Sequence, residues 1–456
     1  MKYHIVTLGC PKNAVDSEGM DGLLSAEGHQ AVTSADEADV IIVNTCSFIA
    51  AARAETLGVL QALAERKRPG QRLIAAGCMA QSHPAEVMGV QGVDGTVGTQ
   101  QWTQIGAVVN QLAQPVIPLT VTQPTHTIPL TPTTNGDQPV SYADWRTTQI
   151  RRTRHTPSAY LKISDGCNLR CAFCTIPGFK GDMRSKPVGA VLAEAQELVA
   201  QGVREIVLVA QHLTDYGRDL GLRDGLAILL DELCQVTPSD IWIRLMYAYP
   251  HGISERLIAT MASHPQICHY LDMPLQHAHP ATLRRMRRPP DTDRTLRLIA
   301  ELRSAMPDIA IRSTFIVGYP GETTAEFNAL IEFLHTAQLD RVGAFRYSRE
   351  PGTPAAELPD QVRPHLIERR WHELMRVQQM ISRARNQRWV GRTLTVLIEG
   401  NGATDDGQPL SVGRSFRDAP EIDGQVFVWG THPIGSMVLV RVMQATDYDL
   451  WGEVAA

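Results

Sequence analysis

Residues 160–174 read Tyr160-Leu-Lys-Ile-Ser-Asp-Gly-Cys167-Asn-Leu-Arg-Cys171-Ala-Phe-Cys174: a short apolar run, then three cysteines in seven-residue reach of one another. The run predicts a β-strand, so the CxxxCxxC set falls at a strand's carboxyl end. Three thiolates this close suit an iron–sulfur cubane that keeps one iron without a protein ligand. An open iron can hold a substrate or cofactor, so the motif points to catalysis. Structural zinc takes four ligands, and no fourth cysteine or suitably spaced histidine lies nearby.

Downstream, five more strand-like runs follow: EIVLVA (205–210), IWIRLMY (241–247), HYLDMPLQ (269–276), IAIRSTFIVG (309–318) and RVGAFRYS (341–348). A helical stretch comes after each. Six βα units fit either an open doubly wound sheet or a partial (βα)6 TIM-type barrel. The polar helix predicted over 365–389 then leads to TLTVLIEG, SVGRS, QVFVWG, MVLVRVMQA and DLWGEV, spread over 393–454. Five short strands predict a small antiparallel barrel of OB-like type. Residues 389–456 hold four Arg and no Lys against nine Asp plus Glu, which disfavours phosphate contacts.

Upstream, KYHIVTLG (2–9), VIIVNT (40–45) and RLIAAG (72–77) alternate with helical stretches such as 17–28 and 50–67. That alternation predicts a flavodoxin-like parallel sheet flanked by helices. Cys10, Cys46 and Cys78 each come just after one of these strands. Carboxyl ends of parallel strands share one edge, so the fold gathers the three thiols and repeats the three-ligand arrangement. The plain alternative is three buried core cysteines, and their common position argues against it.

The stretch from about 114 to 152 is rich in Pro and Thr without periodicity and reads as a linker. The expected organisation is therefore 1–113, linker 114–152, 153–388 and 389–456. A chain of 456 residues, 43% apolar and 20% charged, is long enough for several cores. The net charge of −5 gives no global attraction to nucleic acid or anionic membrane. No run approaches eighteen apolar residues and MKYHIVTLGC lacks a secretory pattern, so a cytoplasmic protein with no membrane partner is expected. Reduced thiols clustered in that compartment bind metal more often than they form disulfides.

These residues resemble the radical S-adenosylmethionine superfamily. In that family the open iron chelates S-adenosylmethionine, whose cleavage yields a 5′-deoxyadenosyl radical able to take hydrogen from an unactivated carbon. With the second triplet, the whole chain is similar to the methylthiotransferases, which carry a TRAM barrel at the carboxyl end. The wording is similar to their ribosomal-protein branch: Thr7-Leu-Gly-Cys10-Pro-Lys-Asn13, Val15-Asp-Ser-Glu18, Ile176-Pro177, Gly181-Asp182, Pro274-Leu-Gln-His277, Leu358-Pro-Asp-Gln-Val362 and Gly413-Arg-Ser415 with 418–424.

The resemblance implies methylthiolation of an aspartate β-carbon in small-subunit ribosomal protein S-twelve, with two [4Fe-4S] clusters on Cys10, Cys46, Cys78 and on Cys167, Cys171, Cys174. It implies a partial barrel for the centre, an electron donor such as flavodoxin or ferredoxin, and a sulfur donor. The acidic barrel suits a basic protein and disfavours tRNA. The rival readings are a tRNA-adenosine methylthiotransferase, which predicts a basic barrel, and a non-enzymatic iron–sulfur sensor or scaffold, which needs no open iron.

Gln211, Gln276 and Arg312, at or within predicted strands, are expected to line the S-adenosylmethionine pocket or else to satisfy backbone groups at the rim. Lys186 and His212 depart from the family's usual Arg and Asp. Cys234 and Cys268 read as core, and His277 with His279 as loop residues. The basic runs 151–154 and 284–288 are either solvated faces or contacts to ribosomal RNA.

Overall fold

The computed structural model describes residues 1–113, 144–148, 150, 152 and 156–455, so most of the expected linker lies outside the described residues. The chain divides into two compact units, Met1–Arg154 with Thr175–Asp182, and His155–Cys174 with Met183–Ala456.

The first unit is built on five parallel strands: β1 (Lys2–Thr7), β2 (Gln30–Ala31), β3 (Val40–Thr45), β4 (Arg72–Gly77) and β5 (Gly95–Gly98), in the order β2-β1-β3-β4-β5. This is the flavodoxin-like order. All six residues of VIIVNT are buried, as expected for a strand covered on both faces. The short β2 and β5 escaped the sequence reading, since two residues and a GTVG stretch offer no periodicity. Gly19 interrupts the helix Pro11–Ala26 for a packing reason: a Cβ there would meet the fully buried Trp102 ring at 2.5 Å.

In the second unit, β6 (Ser158–Lys162) is followed by a two-stranded antiparallel ribbon, β7 (Ser164–Asp165) and β8 (Arg184–Ser185). Then come β9 (Glu205–Val209), β10 (Trp242–Leu245), β11 (Ile267–Asp272), β12 (Ala310–Val317) and β13 (Arg341–Arg346). With β6 they form a six-stranded parallel sheet in the order β13-β12-β11-β10-β9-β6. A doubly wound sheet reverses its strand order and this one does not, which settles the partial-barrel alternative. Leu161, Leu208, Ile243, Leu271, Phe315 and Leu330 belong to one continuous core.

The closing strands β14 (Thr393–Ala403), β15 (Pro409–Ser415), β16 (Val426–Trp429), β17 (Met437–Ala445) and β18 (Leu450–Val454) make a closed barrel, β14-β15-β16-β18-β17. It is antiparallel except between β16 and β18, which run parallel. Five strands cannot alternate direction all the way round a closed ring, so one parallel pair is obligatory.

This barrel shares a unit with the partial barrel because ionic groups fasten the two. Arg244 is fully buried; its Nε donates to Glu205 at 2.6 Å and its Nη atoms to the carbonyls of Phe416 and Ser415 at 2.6 and 3.2 Å. Arg414 donates to Glu205 and Glu399. Arg341 reaches Asp418 at 2.7 Å and the Tyr448 carbonyl at 2.9 Å, and the Tyr270 hydroxyl donates to Asp423 at 2.6 Å. Gly413-Arg-Ser415 and 418–424, singled out in the sequence, are thus the segment that meets the sheet.

Burial alone would push the Glu205 carboxyl up, but Arg244 and Arg414 outweigh it and hold it down at about 2. An unfolded glutamate titrates at about 4.3, so this carboxylate stabilises the fold fully above that value and loses its contribution between about pH 4.3 and 2. Melting temperature recorded from pH 6 downward is expected to fall across that window, and Glu205→Gln is expected to flatten the fall.

Candidate iron–sulfur centres

In the first unit β1, β3 and β4 are neighbours, with Thr7 in register with Asn44 and Thr45 with Gly77. Cys10 precedes the helix Pro11–Ala26, Cys46 follows β3 directly, and Cys78 opens the short helix Cys78–Ser82. All three therefore lie at one carboxyl edge. Asn13 ties the strand ends together, its Nδ2 donating to the Leu8 and Thr45 carbonyls at 2.9 Å each. Its Oδ1 accepts from the Cys78 thiol at 3.6 Å.

Burial pushes the Cys46 thiol up and the Cys78 thiol up to about 12; Lys180 opposes the shift at Cys78, while Cys10 adds to both. A bound iron–sulfur core would reverse that balance by taking the thiols as thiolates. Among the described residues no three His, Cys, Asp or Glu side chains converge as on one metal ion. Cys10, Cys46 and Cys78 would hold a four-iron cluster with one thiolate to each of three irons, which does not require them to converge on a single ion.

In the second unit Cys167 follows β7 by two residues, and Cys174 N–H donates to the Cys171 carbonyl at 3.1 Å. Burial raises the Cys167 thiol, the Leu169 N–H opposes this, and Cys171 adds to it. Asp165 accepts from Gln211 Nε2 at 2.5 Å, placing Gln211 beside the strand–loop junction that leads to Cys167. Gln276 has φ +72° and bridges to β12 through the Thr314 carbonyl and Ile316 N–H at 2.8 and 2.7 Å. Tyr247, just past β10, has φ +66°. Left-handed backbone at two bulky residues on one edge is the kind of strain that collects at binding sites.

Arg312 stands apart from Gln211 and Gln276. Its guanidinium donates to Asp272 at 2.9 Å and lies 3.4 Å from Asp423, so it takes part in the junction with the closed barrel. A strand arginine paired with acids distant in sequence cannot be told from a ligand-binding one by position. Lys186 is buried against Glu194. His277 accepts the His279 N–H at 3.0 Å and lies 3.4 Å from Glu322, a loop role as expected. In 284–288, Arg285 pairs with Glu326 at 2.8 Å and Arg288 is buried, while Arg284 and Arg287 are exposed, so only part of the basic run faces outward. Of 151–154 only Arg152 is described; it pairs with Glu18 at 2.7 Å.

Sequence reasoning missed three glycines. Gly9, Gly77 and Gly166 have φ of +95°, +90° and +84°, and each precedes a cysteine of a triplet. The signal was present as three Gly-Cys pairs in LGC, AGC and DGC. At Gly77 the backbone lies in a region open only to glycine, and a Cβ would stand 2.2 Å from Asn44 Oδ1. Gly77→Ala is expected to cost about 1–3 kcal/mol in strain alone and to displace Cys78. Iron analysis after anaerobic reconstitution should show the loss of about half the iron while the second-unit cluster persists.

Comparison with known proteins accords with this geometry. Residues 2–98 match Uncharacterized protein family UPF0004, 161–334 the Radical SAM superfamily and 390–455 the TRAM domain. A solved radical S-adenosylmethionine methyltransferase, TsrM from Kitasatospora setae with cobalamin and a [4Fe-4S] cluster bound, shares the fold at TM-score 0.55. It has 16% identity, with 78% of this chain and 76% of that one covered. Fold and matches together define a radical SAM enzyme with an additional three-cysteine domain and a TRAM barrel.

Curated relatives narrow the class. Ribosomal protein uS12 methylthiotransferase RimO of Chloroflexus aurantiacus is 86% identical over 99% of both chains. That of Roseiflexus castenholzii is 70% identical over 100% of this chain and 96% of its own. That of Geobacter sulfurreducens is 41% identical over 99% and 98%. The chain belongs to the family of ribosomal protein uS12 methylthiotransferases, RimO.

Proposed function

We infer that this chain adds a methylthio group to the β-carbon of an aspartate of ribosomal protein uS12, the S-twelve protein of the small subunit. The observation that carries the reading is the pair of three-cysteine sets, one at the carboxyl edge of each of two parallel sheets, in a chain 86% identical to a uS12 methylthiotransferase. Cys167, Cys171 and Cys174 would hold one [4Fe-4S] cluster, and Cys10, Cys46 and Cys78 the other. When bound, these clusters and S-adenosylmethionine supply one-electron chemistry and sulfur for an unactivated C–H position.

The chain's own residues do the rest. Three ligands per cluster leave one iron open. Gln211, fixed to Asp165, and Gln276, on its strained backbone, offer amide groups at the edge where the cofactor's polar ends need partners. The first domain spans 1–113 and the second 153–388, joined by 114–152 and followed by the barrel at 389–456. The reading carries with it an electron donor of flavodoxin or ferredoxin type, a sulfur donor, and a cytoplasmic site of action beside the ribosome. Among the described residues no helix is long and apolar enough to cross a membrane.

The barrel surface supports a protein substrate. Phe427 and Trp451 stack at 4.5 Å, and Trp429, Leu439 and Met443 are exposed nearby on β16 and β17. Aromatic and methionine side chains among acids fit a basic protein, whereas stacking on single-stranded nucleic acid works with a positive groove. Deleting the gene and analysing uS12 and tRNA by mass spectrometry tests the reading. Loss of the methylthio mass from uS12 with tRNA unchanged is expected; retention on uS12 contradicts it.

A further inference from the structure

We propose that Arg288 is a positioning residue for the second-unit cluster: its guanidinium donates to the thiolate of Cys171 and raises the reduction potential of the iron held there. This rests on the reading of Cys167, Cys171 and Cys174 as cluster ligands. The geometry is specific. Arg288 Nη1 lies 3.8 Å from Cys171 Sγ, and Nη2 donates to the Pro274 carbonyl at 2.6 Å. The guanidinium carbon sits 4.3 Å from the centre of the Tyr249 ring, so the planar fork is stacked as well as hydrogen-bonded.

The backbone is arranged to deliver this side chain. Arg287 has φ +55°, and Arg288 N–H returns to the Leu283 carbonyl at 2.8 Å, closing the end of the helix Pro280–Arg285. The same turn is bonded to the cysteine loop, since Ala172 N–H donates to the Met286 carbonyl at 3.0 Å. A left-handed arginine costs about 1 kcal/mol, and it turns Arg288 inward from an otherwise basic surface run.

Among the described residues no carboxylate pairs with Arg288, which leaves its charge directed at the sulfur. His212 packs edge-on to Tyr249 with ring centres 5.1 Å apart. Burial, together with Arg288 and Arg218 and against Asp215, holds that imidazole down at about 4, so it is neutral at physiological pH and adds no second positive charge to that of the arginine. A reduced cluster carries one more negative charge than an oxidised one, and a buried cation or donor on a ligand sulfur stabilises it.

The test is an EPR-monitored redox titration of anaerobically reconstituted full-length protein in which Cys10→Ala, Cys46→Ala and Cys78→Ala leave one cluster. Arg288→Met is expected to move the midpoint to more negative potential, with the reduced-to-oxidised ratio at the parent midpoint falling about tenfold, equivalent to about 59 mV for one electron. Tyr249→Leu, which unseats the charge without removing it, should shift it in the same direction by less. Unchanged midpoints in both variants overturn the proposal. If Arg288→Met does not fold, Tyr249→Leu alone decides, an unchanged midpoint again overturning it. Failure of the parent to assemble any cluster contradicts the ligand reading instead.

Discussion

Cys171→Ala, reconstituted anaerobically, is expected to retain about four of roughly eight irons and to form no 5′-deoxyadenosine from S-adenosylmethionine. Cys171 is the middle ligand of its loop, and alanine keeps the carbonyl that accepts the Cys174 N–H while removing only the thiolate, so the loss is one of ligation and not of loop structure. Cys46→Ala should give the complementary result. It loses the other half of the iron, keeps 5′-deoxyadenosine formation, and transfers no methylthio group. Iron analysis and chromatography of the nucleoside read both variants. Equal iron contents in the parent and Cys171→Ala would contradict the assignment of that ligand set.

Glu205→Ala is expected to destabilise the second unit by about 3–5 kcal/mol, because it leaves Arg244 and Arg414 buried beside each other without their shared carboxylate. That is a large part of a typical domain's net stability of about 5–15 kcal/mol. Since Glu205 opens β9 and Arg414 belongs to β15, the loss should appear in both barrels at once. Denaturant unfolding followed by tryptophan fluorescence, with Trp242 and Trp371 reporting on one barrel and Trp429 and Trp451 on the other, is expected to show one transition at lower denaturant. A change below about 1 kcal/mol would show that the ionic junction does not fasten them.

Much of the site was legible because cysteine spacing and strand ends are local signals. The CxxxCxxC run needed only its own residues, and Cys10, Cys46 and Cys78 needed only the rule that parallel strands share an edge. Strand order, by contrast, depends on pairing between distant segments, so the choice between a doubly wound sheet and a partial barrel stayed open from the residues alone. The same limit explains Arg312 and Arg288. One reads as a pocket residue and the other as surface, yet each has a partner, Asp423 and Cys171, more than a hundred residues away in the chain. The Gly-Cys pairs were readable but need a backbone angle to show their meaning.

The measurement that bears most directly on the central claim is an anaerobic assay of the reconstituted protein with S-adenosylmethionine, a reductant, and purified uS12 and tRNA together. Mass spectrometry is expected to find the methylthio group on one aspartate of uS12 and none on tRNA, and to find it in neither when Cys46 or Cys171 is alanine. Modification of tRNA with uS12 unchanged, or transfer to uS12 surviving either substitution, would contradict the account.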